Sequence, residues 1–184
     1  EDFVNSYNFD LCNDLGNLLN RTIGMVNKYF EGNVPEYKGQ ILEVDKELEE
    51  TVANKIKEYE DNMESLHFSN ALESIWAIIS RTNKYIDETA PWTLSKEGKT
   101  EELESVMSHL VENLRIIAIL INPVMSHTSE EILKQLGIND QGYDSIYNYG
   151  KSINNIKVIE KGEPIFVRLE AEEEIKYIQD QMKV

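Results

Sequence analysis

From Leu103 to Ile121 the chain places apolar side chains at 103, 106, 107, 110, 111, 114, 117, 118 and 121. The intervals are mostly three and four, so the stretch from about 100 to 122 reads as one helix with an unusually wide apolar stripe. A stripe that wide has to be covered from more than one side. The helix therefore belongs at the centre of a core, and Pro123 ends it. No stretch alternates apolar and polar residues strongly enough to build a sheet.

The rest of the chain supplies the covering helices. Residues 3 to 30 contain no proline and carry Phe3, Val4, Leu11, Leu15, Leu18, Leu19, Ile23, Val26 and Phe30, which reads as one long amphipathic helix stopped by Gly32 and Pro35. A charged, partly buried helix is expected at about 45–64. Another is expected at about 69–87, with Leu72, Ile75, Trp76, Ile79, Tyr85 and Ile86 on its apolar side. After it, Ala90-Pro91-Trp92 reads as a helix-to-loop junction, because a residue before proline is biased away from helical geometry. A shorter helix should follow Pro123, with Thr128 and Glu131 spaced as a capping box and Gly137 as its stop. Residues 138–168 are turn-rich, and about 170–182 is helical again. The expected fold is an all-α, antiparallel bundle of about five helices in a single domain, residues 1–184. Its core spans about 3–137, followed by an irregular return segment and a short final helix. Within that segment the run Ile165, Phe166, Val167 and Leu169 is too apolar to stay uncovered and should pack back along the bundle.

The formal net charge of -16 argues against non-specific binding to a polyanion. The charge is uneven, however. Residues 41–65 and LEAEEEI near the end are acidic, whereas NLLNRTIGMVNKYF and SRTNKY carry Arg21, Lys28, Arg81 and Lys84 with no acid among them. The single cysteine, Cys12, excludes an internal disulfide and reads as a small buried hydrophobe in a reducing, cytoplasmic setting. No membrane span is expected, and the opening without methionine suggests a piece of a longer chain.

Catalytic patterns are missing: no glycine-rich phosphate loop, no nucleophile elbow, no metal-spaced histidines or cysteines. His67, His109 and His127 lie far apart, and His109 reads as a hydrogen-bonded core or boundary residue. Most carboxylates read as solvated faces. What remains is a polar stripe, Asn13, Asn17 and Arg21, in steps of four that advance about 40° each on an α-helix. Amides and a forked guanidinium are suited to nucleobase edges, and an aromatic ring is suited to stacking unpaired bases. Trp92, fixed by Pro91, supplies such a ring. The stripe read as a solvated face, and Trp92 read as an aromatic cap over the bundle end, are the plainer alternatives.

NLLNRTIGMVNKYF, NKYIDETAPWTLSK and LESVMSHLVENLRIIAILINPVMSHTSEEI resemble the anticodon-binding helical domain of the bacterial methionyl-tRNA synthetases, which are class I aminoacyl-tRNA synthetases. The resemblance runs from about Phe3 to about Ile138 and rests on Asn-x-x-x-Arg followed by Ala-Pro-Trp. It implies that Trp92 stacks on the first anticodon base, a cytosine, and that Asn17 and Arg21 contact that base and its neighbour. Asn13 matches a further asparagine associated with the anticodon loop, and Asp87 matches an acid that positions loop groups. Ser80 stands where some relatives carry an acid. The His-Ile-Gly-His and Lys-Met-Ser-Lys-Ser signatures and the zinc-binding insertion are absent. The resemblance thus implies a non-catalytic domain without cofactor or metal of its own. Its partners would be a methionine tRNA and a catalytic domain of the same chain, which uses ATP and is the place for zinc. The rival readings are the equivalent domain of another class I synthetase and a helical scaffold that binds only protein. An exposed Trp92 bordered by Asn and Arg favours RNA; a buried one favours the scaffold.

Overall fold

Helical periodicity governs most of the described chain up to Leu136. The computed structural model describes residues 2–139 and 142–181, leaving aside the side chains of residues 2, 3, 171 and 180, so the apolar role read for Phe3 and the last residue of the expected final helix lie outside the described part. The chain opens with α1 (Asp2–Ser6), passes through a π-helical stretch (Tyr7–Gly16) and continues as α2 (Asn17–Phe30). Then come α3 (Glu43–Glu64), α4 (Phe68–Thr89), α5 (Pro91–Glu97), α6 (Thr100–Ile121) and α7 (Ser126–Leu136). A 3-10 turn (Tyr143–Tyr147) and α8 (Ala171–Gln181) follow. The fold is all-α as expected; the β pairing recorded among the described residues is an isolated bridge between Asn33 and Lys157. No helix among them is long and apolar enough to cross a membrane.

Helix α6 is the axis of the core. Every residue from Ser105 to Ile121 is buried, with α4, α7, α5 and α2 laid against the helix. Leu110, Leu114, Ile117 and Ile75 are fully enclosed, as read from the sequence. Trp76 departs from that reading. It is only partly buried, and its indole N–H donates to the carbonyl of Asp10 at 3.3 Å. The amide of Asn83 likewise donates to the carbonyl of Asp14 at 3.3 Å. Both acceptors belong to the π-helical stretch, whose i→i+5 pattern bonds less regularly than an α-helix and is sustained by side chains inserted into its ladder. The first helix is therefore not the uniform α-helix expected. Cys12, in the same stretch, is only partly buried rather than a core residue.

Three carboxylates depart from the solvated faces read for most of them: Asp45 and Glu112 are fully buried, and Glu49 is partly buried. Asp45, in the first turn of α3, is fully buried and accepts four hydrogen bonds. They come from the backbone N–H groups of Ile41 (2.9 Å) and Leu42 (2.8 Å), from Tyr85 Oη of α4 (2.6 Å) and from Ser105 Oγ of α6 (2.8 Å). Glu49, one turn on, accepts from Tyr37 Oη and Gln40 Nε2, both at 2.6 Å, and lies 2.9 Å from His109 Nε2. His109 is fully buried and hydrogen-bonded, as expected of it. Glu112 and Arg115 form a fully buried pair at 2.8 Å, and Arg115 extends the contact to Ser145 Oγ.

Two helix starts differ from the sequence reading. Helix α7 begins at Ser126, directly after a turn in which the Val124 and Met125 N–H groups bond to Ile121 O, so Thr128 lies inside the first turn and caps nothing. Its stop is as read. Gly137 has φ 72°, Ile138 N–H closes onto Leu133 O at 2.9 Å, and a Cβ at 137 would lie 2.1 Å from Lys157 O. Pro91 does not lead into a loop. It occupies the first turn of a new helix, α5, where its missing N–H costs nothing. The reversal between α4 and α5 is taken by Ala90 alone, in the left-handed region at φ 42°.

The return segment is fastened by carboxamides. Asn8 donates to Leu169 O (2.8 Å) and accepts from Leu169 N–H (2.9 Å). Gln135 treats Glu163 in the same way, at 2.9 and 3.1 Å, and Asn27 donates to Ile159 O at 2.8 Å. Each amide satisfies backbone groups that neither helix nor sheet would reach. Ile165 and Phe166 pack on the core, with Phe166 edge-on to Tyr7, whereas Val167 is 74% exposed. The expected packing of this run thus holds for two residues and fails for Val167, whose side chain points out.

Leu114→Ala should destabilise the domain by about 2–5 kcal/mol, read from denaturant melts. Burial opposes charge on Glu49, but the hydrogen bonds from His109, Tyr37 and Gln40 outweigh it and hold the carboxyl below its ordinary range. A depressed acid stabilises the fold above its unfolded-state value, and that contribution is lost as pH falls through the folded-state value. Melts from neutral pH downward should therefore show stability falling on the acid side, and Glu49→Gln should flatten that part of the profile.

Candidate nucleic-acid interface

Helix α2 buries Leu18, Leu19, Thr22, Ile23 and Val26, which leaves Asn17, Arg21, Gly24 and Lys28 on its outer side. Arg21 is held at its far end. Its Nη2 donates to Asp87 Oδ1 of α4 at 3.2 Å, with side-chain exposures of 31% and 69%. An exposed pair of this kind contributes roughly 0–1 kcal/mol to stability, so its consequence is orientation. One of five guanidinium N–H donors is engaged, and the others stay available.

Five residues after Asp87, Trp92 stands as the second residue of α5. Pro91 and Leu94 of the same helix are buried, which anchors the backbone on both sides of the ring, while Trp92 itself is 49% exposed. The Ala90 conformation sets the direction in which α5 leaves α4, and Thr89 Oγ1 ties the last turn of α4 to Tyr85 O at 2.7 Å. Neither the Trp92 indole nor the Asn17 amide has a hydrogen-bond partner among the described residues.

The five residues singled out from the sequence do not form a single group. Arg21 and Asp87 touch, Asn17 lies one α-helical turn before Arg21 on the same side, and Trp92 follows Asp87 across the α4–α5 junction. Asn13 lies in the π-helical stretch rather than on α2. It lines a different cleft of about 490 Å³, with Asn5, Asn8, Phe9, Asp10 and Arg168. Phe9 there is 62% exposed. Sequence reasoning overlooked Arg168, a lone cation between an apolar run and an acidic one. Its proximity to Asn13 depends on the Asn8–Leu169 amide pair. Ser80 is exposed on α4 and makes no recorded side-chain contact.

Residues 34–182 match the family model for the anticodon binding domain of methionyl tRNA ligase, and the chain belongs to that family. It is 57% identical over its full length to the methionine–tRNA ligase of Listeria monocytogenes serotype 4b, and 53% identical to that of Bacillus subtilis. The chain spans 28% of each of those relatives. Among solved structures, the apo methionyl-tRNA synthetase of Mycobacterium tuberculosis superposes with a TM-score of 0.81 over 91% of this chain and 34% of its own, at 28% identity. The same enzyme in complex with methionyl-adenylate gives 0.77 over 90% of this chain and 33% of its own, at 29% identity.

Proposed function

We propose that this domain reads the anticodon of a methionine tRNA for a cytoplasmic methionine–tRNA ligase, whose ATP-dependent attachment of methionine takes place in a catalytic domain of the same chain outside this sequence. ATP, and zinc where the enzyme holds it, belong to that catalytic domain. The observation that carries the reading is the Arg21–Asp87 contact, five residues before a half-exposed Trp92 on the proline-anchored start of α5. The indole is the stacking surface for the first anticodon base. Asn17 and Arg21 present donors and an acceptor to that base and its neighbour, and Asp87 positions the guanidinium before RNA arrives. Side chains already ordered in the free domain reduce the entropy lost on binding. Asn13 and Arg168 form a second contact point for the loop. An exposed Trp92 disfavours the protein-only scaffold, which called for a ring under apolar neighbours.

Val167 is exposed on the return segment, and this segment meets the catalytic domain. A Val167→Asp parent enzyme should then melt at a lower temperature than the unaltered parent; an unchanged Tm places the catalytic domain elsewhere.

In the parent enzyme, Trp92→Ala should weaken cognate tRNA binding by about 1–3 kcal/mol, the range for base–aromatic stacking. Arg21→Ala should cost a similar amount, about 1–3 kcal/mol for edge contacts. Methionine activation with ATP, which needs no tRNA, should stay near normal. The loss should shrink for a tRNA whose first anticodon base is already altered. Equal losses for cognate and altered anticodons, with the fold intact, would reduce Trp92 to a structural cap.

A further inference from the structure

The outer side of α2 does not end at Arg21. Asn17, Arg21, Gly24 and Lys28 follow in steps of four, three and four, which keeps all four within a sector of about 60° over roughly 16 Å of helix. Gly24 is exposed, and a Cβ there would meet nothing within 4 Å, so the middle of the stripe is open backbone. At its far end the stripe enters a cleft of about 530 Å³ between α2 and the return segment. Lys28 and Lys161 line it from opposite chain segments, over a floor where Gly162 comes so close to Asn20 that a Cβ would lie 2.9 Å from its Oδ1.

Most cations of α3, α4 and α6 are matched: Arg81 with Glu88, Lys84 with Glu88, Lys55 with Glu58, Arg115 with Glu112. Lys28 and Lys161 make no ion pair among the described residues, even with Glu160 on the same cleft; the Lys28 ammonium instead lies 5.2 Å from the Tyr29 ring centroid. Two ammonium groups without an ion-pair partner facing one polar cleft, in a chain of net charge -16, give a polyanion a local foothold.

We infer that the Lys28–Lys161 cleft takes the phosphodiester backbone of the same RNA strand whose bases are read at Asn17, Arg21 and Trp92. This rests on the anticodon reading above and extends it along α2. Bases stacked at one end fix the strand, and its backbone, running along the open Gly24 stretch, brings a phosphate between the two ammonium groups. Phosphate contacts of this kind position a nucleic acid without reading its sequence.

The test is a salt titration of tRNA binding by the full-length parent enzyme and by its Lys28→Gln/Lys161→Gln double variant. Both side chains are exposed, so the fold is not expected to change; Lys28→Arg/Lys161→Arg controls for charge alone. The glutamine variant should weaken binding by the same factor for cognate and anticodon-altered tRNA. Its slope of log affinity against log salt should be shallower by about one per lysine, and the arginine variant should restore the slope. An unchanged slope overturns the inference and leaves the cleft to an acidic peptide. Trp92→Ala, run in parallel, separates the two readings. If it loses anticodon discrimination while the lysine variant keeps the parental slope, the base site stands and the backbone cleft falls. If neither changes anything, both fall.

Discussion

The Asp45 carboxylate is the point on which the three longest helices agree. Removing a carboxylate from water costs several kcal/mol unless its lone pairs are met, and here four donors meet them: two N–H groups preceding α3, a hydroxyl of α4 and a hydroxyl of α6. The start of α3 adds the favourable end of a helix dipole. Any slip of α4 along α6 would withdraw Tyr85 or Ser105 and leave the charge short of a partner, so the node selects one register. That register matters for function because Asp87 and Trp92 lie two and seven residues beyond Tyr85. The position of Trp92 is thus set by a buried, hydrogen-bonded carboxylate as much as by apolar packing.

An acidic domain that binds RNA has to obtain affinity without a general electrostatic attraction. Stacking and edge contacts are short-ranged and depend little on net charge. Cations without an ion-pair partner can then act locally, and the acidic surface of α3 discourages a polyanion from lying there. Strong overall negative charge and nucleic-acid recognition are compatible here because the first narrows the places where the second can happen.

The helices were legible because their apolar spacing is long and regular, and the ends of α6 and α7 because proline and glycine mark them. The Asn17–Arg21 pairing was legible for the same reason: it lies on regular α-helix. The π-helical stretch that holds Asn13 was not legible, because nothing within residues 7–16 distinguishes an i→i+4 from an i→i+5 ladder; the donors to its carbonyls, Trp76 and Asn83, lie more than sixty residues away. The burial of Asp45 was hidden in a stretch whose composition suggests a solvated face, since one carboxylate among many carries no sign of the hydroxyls waiting for it. The start of α5 was missed because Pro91 reads equally well as a helix breaker and as a first-turn residue. Only the left-handed Ala90 before it decides between them, and alanine gives no hint of that conformation.

The Asn8–Leu169 amide pair has a kinetic corollary. It joins residues 161 positions apart and carries Arg168 to the vicinity of Asn13. Contacts of such sequence separation form late, because the intervening loop must close before they give anything back. The helical core contains its own register signals and does not need this contact to assemble. During synthesis, then, α2, α4 and α5 can pack on the core before the return segment has docked. The cleft that includes Arg168 becomes whole only when that last stretch is in place, so its completion trails the folding of the core.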